Sequence, residues 1–448
     1  MKTRRDIALA VFALCYGIWF FRMTRYGLHS WFSEDDLLNI YYCWSKPLSD
    51  LLRGNIVFFN HYNRPMGELL LYVLYSAFGF NPGPFNVVRM ILCFGSLVVL
   101  YRFAERLTGS REVGVLAVML MGFHPVFNSI YFDSGMYFDL LAFLFYYASL
   151  TLYLEGRRTV WAAVLFLCAL NSKEIAVTLP VALLLLRRYR PAIITGLLTL
   201  IYIVGKNTGP RPLSANAAYH PQISPGLYLD SYAHYLGQLT FLADAAVRPF
   251  VAFILIGCIG LALLLRNRVM IGASLFNLAS IVPIAFIPPR NGFAFFVPAA
   301  SWAIYVSILV AECRQLVIRR NRNLRLPAQA ALAAALVFLV LRPEYRIMNQ
   351  NYYPLIHSDQ YRNRDAWTSL HAALPPRLTG KRVLGLHDPF DLGYALSFMI
   401  QLGYADKTIQ VDTFRLLNEH KQPVLPRQYD YVIDYSDRAF FVVPGPPS

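Results

Sequence analysis

Long apolar blocks recur along the chain, and this feature limits the possible folds more than any other. Residues 7–21, 113–123 and 249–265 are examples. A core helix of a soluble protein is apolar on one face, whereas a lipid-facing helix is apolar all round. Charged residues make up only 15% of the chain, against about 25% in soluble domains. The blocks therefore predict a polytopic integral membrane protein.

We predict that residues 1–342 form an all-α membrane domain with about eleven spanning helices. The spans are placed near 7–23, 85–101, 113–125, 136–154, 158–171, 174–186, 190–205, 249–265, 269–288, 293–313 and 327–342. Several of these blocks are shorter than the roughly 20 residues that cross a bilayer. The first block is interpreted as a retained helix, because no small-residue cleavage site follows it.

The basic residues orient these helices. Every predicted inner segment carries lysine or arginine, whereas the outer loops are poor in both, which is the positive-inside pattern. Residues 159–186 are interpreted as a hairpin, because a single helix would separate Arg158 from Arg187. The N-terminus is then cytoplasmic and the C-terminus periplasmic, and we predict a bacterial inner membrane. Because the inner loops account for the net charge of +15, we predict no nucleic-acid partner.

Three predicted outer segments are long enough to carry function. The first loop, 24–84, has helical patterns near 34–45 and 65–79, and the second runs from 206 to 248. The third, 343–448, predicts a small extracytoplasmic α/β domain. Its strand-like runs are Arg382–His387, Thr408–Val411, Tyr431–Ile433 and Phe440–Val443, with a helical pattern between the first two.

Three consecutive carboxylates open the first loop helix. Glu34, Asp35 and Asp36 follow Ser33, so the acids are also explained as the first turn of a helix that Ser33 caps. Like charges so close together raise each other's pKa, which is common at functional sites. Both interpretations are compatible with one structure.

Further ionisable residues border the other predicted outer turns. Asp133 and Asp139 flank the second turn, and Asp139 is also suited to cap a helix. Lys173 and Glu174 interrupt two apolar runs, where charges are costly unless they are paired or face a cavity. Mutual pairing is disfavoured because helical neighbours point in different directions. His124 precedes a proline, and we interpret it as a helix terminator.

Arg64, Lys173 and Arg290 all lie at predicted outer ends. Each alone is equally explained as an interfacial anchor. Together they predict an anion site near the acids of the first loop, which favours an enzyme that handles a phosphorylated lipid. Asp35, Asp36 and Asp133 are possible ligands of a divalent metal, but no metal or other cofactor is favoured, and the six cysteines form no zinc motif.

An ordered set of motifs resembles a known superfamily. An acidic pair follows the first helix, and Arg64-Pro65 starts a surface helix. Then come FGFNPGPFNVVRMILCFGSLVVLYRFAERL, GFHPVFNSIYFDSG, ALNSKEIAVTLPVALLLL and PPRNGFAFFVPAAS. Over roughly residues 1–315 the chain resembles the GT-C superfamily of membrane glycosyltransferases. It is most similar to the branch with protein O-mannosyltransferases and bacterial dolichyl-phosphate-mannose-type enzymes.

The resemblance implies transfer of a sugar from a polyprenyl-phosphate carrier to a hydroxyl of a protein, lipid or glycan at the outer membrane face. The family's first-loop acid maps to Asp35 or Asp36, which would be the general base of an inverting reaction. Lys173 and Arg290, with Arg64, would bind the donor phosphate. Glu34, Asp133, Asp139, His124 and Glu174 would support the site.

Two other functions remain open. One is a non-catalytic envelope protein that transports or binds a lipid-linked glycan. The other is an enzyme similar to O-antigen ligases or polymerases, which rely on arginine and histidine in a large outer loop. The loop 206–248 offers Arg211, His220 and His234 for that role.

Overall fold

The computed structural model describes residues 2–59, 64–156, 158–208, 220–421 and 426–443. This part of the chain is largely helical. The α-helices are α1 Lys2–Thr24, α2 Glu34–Trp44, α3 Leu48–Gly54, α4 Pro65–Phe78, α5 Pro82–Thr108, α6 Arg111–Met121, α7 Asn128–Phe132, α8 Tyr137–Glu155, α9 Thr159–Leu170, α10 Leu179–Leu185, α11 Tyr189–Thr208, α12 Pro225–Thr240, α13 Asp244–Val247, α14 Val251–Leu264, α15 Arg268–Ser280, α16 Val282–Ala285, α17 Phe296–Arg320, α18 Arg325–Leu336, α19 Arg342–Ile347, α20 Tyr353–Ala373, α21 Ala395–Gly403 and α22 Phe414–Glu419.

Seven helical segments among the described residues are long and apolar enough to cross a membrane, or eight if one bent pair forms a single span. They are Pro82–Thr108, Ser134–Glu155, Tyr189–Thr208, Asp244–Leu264, Arg268–Ala285, Gly292–Arg320 and Arg325–Ala373. Each overlaps one predicted span, so the prediction of a polytopic, mainly helical membrane protein is confirmed. The number of such segments is nevertheless lower than the eleven predicted.

Three of the other four predicted spans differ from a simple spanning helix in identifiable ways. The block 113–125 breaks where α6 ends, and Pro125–Phe132 continues at 63° to it, because proline lacks the N–H that helix continuation needs. The blocks 158–171 and 174–186 form short helices of 12 residues. At about 1.5 Å per residue each rises only about 18 Å. The first block, 7–23, lies within α1.

The short helices nevertheless form the predicted hairpin. After α9 the chain turns, and a 3-10 helix at Glu174–Thr178 leads into α10. The Arg188 guanidinium at the end of α10 donates to the Leu154 carbonyl, 2.7 Å away, near the end of α8. Because α9 begins just after α8, both ends of the 159–186 segment lie at the same end of the bundle.

Several basic residues from predicted inner loops gather at this end of the bundle. Arg106 pairs with Glu155 at 3.3 Å, beside the Arg188 contact. We call this region the arginine end. The arginine end lies at the opposite end of α8 from Asp139. The compartment that it faces stays a prediction.

A small mixed sheet forms the C-terminal region, as predicted. Its strands lie in the order β2-β1-β3-β4, and β1 is parallel to both β2 and β3. A tight turn with positive φ at Asp437 and Arg438 joins β3 to the antiparallel β4, as expected of a two-residue hairpin. Helix α21 connects β1 to β2. The strands are β1 Arg382–Gly385, β2 Gln410–Thr413, β3 Tyr431–Ser436 and β4 Ala439–Val442.

The first outer loop and the sheet region share one apolar core. Tyr41 stacks on Phe398 with ring centroids 4.1 Å apart, and the Tyr75 hydroxyl donates to the Leu402 carbonyl at 2.6 Å. Buried residues from both regions fill the space between them: Phe32, Leu37, Ile40, Leu71 and Leu74 from the loop, and Leu370, Leu396, Met399 and Ile400 from the sheet region. The sheet region is therefore docked on the loop that carries Asp35 and Asp36.

One helical segment, Arg325–Ala373, joins the bundle to the sheet region. Two π-helical turns, Val337–Leu341 and Met348–Tyr352, lie within it. The predicted boundary between domains 1–342 and 343–448 falls at the start of α19 inside this segment.

Candidate active site

The acids of the first loop are placed by a helix cap. Ser33 caps α2, because its hydroxyl accepts from the Asp36 N–H at 3.2 Å while an Asp36 carboxylate oxygen accepts from the Ser33 N–H at 2.9 Å. This reciprocal pair is a capping box. Glu34 and Asp36 are buried, with 7% and 1% of their surface exposed, whereas Asp35 points to solvent. The capping interpretation is therefore confirmed, and it leaves Asp35 accessible.

Asp36 also ties the first loop to the second outer turn. Its other carboxylate oxygen accepts from the Gly135 N–H. A Cβ at Gly135 would lie 3.2 Å from that oxygen and 3.0 Å from the Asn39 amide nitrogen, so a larger residue would push the loops apart. Burial raises the pKa of Asp36, while the two backbone donors oppose that rise.

Arg89, a buried arginine that the sequence analysis did not select, lies close to the acids. Arg89 of α5 is 1% exposed. Its guanidinium donates to the Tyr131 carbonyl at 3.0 Å and to the Ser30 hydroxyl at 2.8 Å. Its positive charge also favours the ionised forms of Asp36 and Asp133. Its position inside the apolar block 85–101 could have indicated a role, because ionisable residues within spans are usually functional or paired.

Asp133 completes this acid cluster, which we define as Asp35, Asp36 and Asp133. It lies between α7 and the 3-10 helix Ser134–Met136. Burial, and then the negative charge of Asp36, raise the pKa of Asp133 to about 7. The cluster therefore combines the exposed carboxylate of Asp35 with the buried Asp36 and the half-buried Asp133, whose pKa values are both raised.

The Asp133 pKa predicts a pH dependence of stability. The pKa of Asp133 is about 7 in the folded state and near 3.9 in the unfolded state. Asp133 therefore takes up a proton on folding at pH values between these two. The free energy of unfolding therefore falls as pH rises from about 4 to about 7, by on the order of 3 kcal/mol. We expect the melting temperature of the purified protein to fall over this range, and less steeply for Asp133→Asn. Equal slopes for both proteins would contradict the assignment.

Glu34 connects the acid cluster to the sheet region. Its carboxylate accepts from the backbone N–H groups of Asp391 and Leu392 at 3.0 and 2.7 Å. It also pairs with Arg362 of α20 at 2.9 Å. Tyr394, two residues after Leu392 in the same loop, lies beside Asp35; burial and then the Asp35 charge raise the pKa of Tyr394 to about 12. A loop from the C-terminal region thus forms part of the wall around Asp35.

We expect Glu34→Ala to loosen this loop. The change leaves two backbone donors and Arg362 without their acceptor, and each unsatisfied buried donor costs about 1–3 kcal/mol. Hydrogen exchange should therefore accelerate in residues 388–394. Asp359→Ala is the matched control, because Asp359 contacts the same guanidinium from an exposed position at 3.8 Å. Unchanged exchange in Glu34→Ala would show that the carboxylate does not hold the loop.

The predicted phosphate-binding residues Arg64 and Lys173 lie in a second charged group. Arg64 forms a two-pronged ion pair with Glu174, with contacts of 3.0 Å from Nε and Nη2. Lys173 pairs with Asp139, and Arg64 and Lys173 are close enough for their charges to repel. Lys173 and Glu174 therefore bind different partners, as their adjacent positions predict. We call these four residues the paired cluster.

Lys206 also approaches this cluster, and the sequence analysis did not select it. It is 7% exposed at the end of α11, where its ammonium lies 5.6 Å from the Tyr202 ring centroid and is attracted by Glu174. In sequence it is one lysine at the end of a predicted span, a position also typical of an interfacial anchor.

The turn that carries Arg290 borders the paired cluster. Phe293 lies under the Lys173 ammonium, 4.8 Å from nitrogen to ring centroid. The Arg290 backbone is held by α12, since its N–H donates to the Tyr235 hydroxyl at 3.3 Å and its carbonyl bonds to His234 at 3.0 Å. The structure thus places all three predicted cations, Arg64, Lys173 and Arg290, in neighbouring elements.

One short segment connects the acid cluster to the paired cluster. Asp133 precedes the 3-10 helix Ser134–Met136, and Asp139 lies in the first turn of α8. Six residues, each rising about 1.5–2 Å, separate the backbones of Asp133 and Asp139 by about 10 Å. This segment therefore sets the spacing between the two clusters.

An apolar cavity of about 500 Å³ lies next to α12. Leu236 and Leu239 of α12 and Trp302 of α17 are among its lining residues. Leu239 lies about one turn of α12 beyond His234 and Tyr235, which hold the Arg290 backbone. His124 also lines the cavity; one ring nitrogen accepts from the Val126 N–H at 3.3 Å and the other bonds to the Leu239 carbonyl at 3.1 Å. His124 therefore stabilises the break after α6 and one wall of the cavity.

Within the described ranges, no three His, Cys, Asp or Glu side chains are arranged to hold a metal ion. The acids of the first loop instead bond to backbone groups and to arginine. Comparison of the sequence with protein-family models and with curated proteins gave no significant match. Function is therefore argued from the site itself.

Proposed function

We propose that this chain is a GT-C-type glycosyltransferase. It transfers a sugar from a polyprenyl-phosphate carrier to an acceptor hydroxyl of a protein, lipid or glycan. One observation carries the proposal: the acids and paired cations lie at the opposite end of α8 from the arginine end. Sixteen residues separate Asp139 from Glu155, so the two ends are about 24 Å apart. With the arginine end cytoplasmic, this site faces the periplasm.

Asp35 is the general base in this proposal. A base must come within hydrogen-bond reach of the proton that it removes, and of the three consecutive acids at the start of α2 only Asp35 is exposed. Asp36 and Glu34 position the loop, because their carboxylates are occupied by backbone donors.

The reaction forms one bond and breaks one. The acceptor oxygen attacks the anomeric carbon of the sugar as its proton passes to Asp35. The bond between that carbon and the phosphate oxygen breaks on the opposite face, so configuration is inverted and the lipid phosphate leaves with the electron pair. Lys173 and Arg290 stabilise the charge that develops on the phosphate.

The cavity beside α12 supports a lipid-linked donor. Its lining is almost entirely apolar, and it adjoins the turn that carries Arg290. An isoprenoid chain in this cavity would place its phosphate near Arg290 and Lys173. The acceptor would then approach from the side of Tyr394, where the C-terminal loop borders Asp35.

A transport role for a lipid-linked glycan is the alternative that the same cavity also allows. For the O-antigen ligase-like alternative, Arg211 lies outside the described residues, while His234 contacts Asp244 at 2.8 Å and the Arg290 carbonyl at 3.0 Å.

Proteoliposomes with radiolabelled polyprenyl-phosphate sugars separate the two main functions. An enzyme moves the label from the lipid to an added acceptor and releases polyprenyl phosphate. A transporter moves the label between leaflets with the sugar–phosphate bond intact. We expect transfer without leaflet exchange; leaflet exchange of intact donor without transfer would overturn the proposal.

A further inference from the structure

A second apolar cavity, of about 310 Å³, opens at the arginine end. Helices α5, α8, α10, α15 and α17 enclose it. Its deeper lining includes Tyr147, Phe276 and Ile304, and Arg187 and Arg268 also line it. The volume is at the lower end of ligand pockets, which span about 300–1,000 Å³. It has room for part of one lipid chain.

Two arginines give this cavity a cationic rim. The Arg187 and Arg268 side chains are exposed, and neither forms an ion pair or hydrogen bond with any part of the chain that the structure describes. Two other arginines at this end differ, since Arg106 pairs with Glu155 and Arg188 bonds to the Leu154 carbonyl. Positive charge therefore remains uncompensated at the mouth of an apolar space.

We propose that this cavity binds one anionic glycerophospholipid from the surrounding leaflet. Its phosphate is bound by Arg187 and Arg268, and part of one acyl chain occupies the cavity. Basic pockets between membrane helices are suited to anionic headgroups, and guanidinium groups bind phosphate oxygens with paired hydrogen bonds. The site is separate from the proposed donor site, since it lies at the other end of α8.

A larger side chain at Gly272, which lines the cavity, is expected to exclude the acyl chain. A Cβ at Gly272 meets no heavy atom within 4 Å, and Gly272 lines the cavity. Gly272→Phe therefore adds a Cβ without a clash, and its ring is expected to occupy space that the acyl chain would need. Arg187→Gln/Arg268→Gln removes the headgroup contacts and leaves the cavity intact, so the two variants test the two halves of the lipid separately.

Native mass spectrometry of the purified protein, titrated with phosphatidylglycerol or phosphatidylcholine, tests the proposal. We expect one retained phosphatidylglycerol, with affinity at least tenfold above that for phosphatidylcholine. Both variants should lose this preference. Arg319→Gln/Arg320→Gln should keep it, because those exposed arginines lie in the last turn of α17, outside the cavity lining.

Three results would overturn the proposal. They are equal retention of both lipids, an unchanged preference in both cavity variants, or an equal loss in the Arg319/Arg320 control. Melting temperatures of all variants, measured without added lipid, show whether a loss reflects unfolding. The readout is lipid binding, so failure of sugar transfer does not affect this result.

Discussion

Asp35→Asn should reduce kcat for sugar transfer by about 10²–10⁴-fold, the usual contribution of a general base. The amide retains the size and hydrogen bonding of the side chain but cannot take a proton at neutral pH. Since Asp35 is exposed, its replacement should change the melting temperature little. Donor affinity should also persist, because the donor phosphate is bound by other residues.

Two matched variants make this result specific. Asp50→Asn removes an exposed carboxylate from α3 of the same loop, and we expect near wild-type transfer. Asp36→Asn alters a carboxylate that bonds to the backbone of both outer turns, so it should lower both stability and kcat. A fully active Asp35→Asn variant would contradict the assigned base, whatever the other two variants do.

Lys173→Met should destabilise the protein by about 3–5 kcal/mol, the usual effect of removing one partner of a buried ion pair. Lys173 and Asp139 are 7% and 4% exposed, so Asp139 would keep a buried charge without its cation. The contact between Lys173 and Phe293 would also be lost. Equilibrium unfolding in mixed detergent micelles measures the change.

The double variant Lys173→Met/Asp139→Asn distinguishes charge burial from packing. Removing both charges should restore most of the lost stability, because the remaining amide has no charge to desolvate. Lys46→Met is the control, since its pair with Glu68 at 2.8 Å is more exposed and should contribute about 0–1 kcal/mol. An effect of Lys173→Met no larger than that of Lys46→Met would contradict this explanation.

The features that sequence predicts well here are local. Apolar blocks define the membrane helices, the arginines around 159–186 favour the hairpin, and alternating runs give the four strands. The acids of α2 follow from the same logic, because Ser33 and Asp36 form a cap within one turn. Each of these signals lies within a few dozen residues.

The features that sequence missed depend on long-range contacts. Arg89 contacts Ser30 and Tyr131 from distant parts of the chain, and no periodicity connects those positions. The docking of residues 391–392 on Glu34 joins segments more than 350 residues apart. Fewer described segments than the eleven predicted spans are long and apolar enough to cross alone, because hydropathy measures composition, whereas α9 and the segment 174–185 have only 12 residues each.

The central claim is that this protein breaks a sugar–phosphate bond with Asp35 as the base. The most direct test is a single turnover of purified protein with a panel of polyprenyl-monophosphate sugars and candidate acceptors, followed by mass spectrometry of both products. We expect polyprenyl phosphate and glycosylated acceptor to appear in equal amounts with wild-type protein, and to fall at least 100-fold with Asp35→Asn. Donor that binds but remains intact throughout the panel, or products that form equally with Asp35→Asn, would contradict the claim.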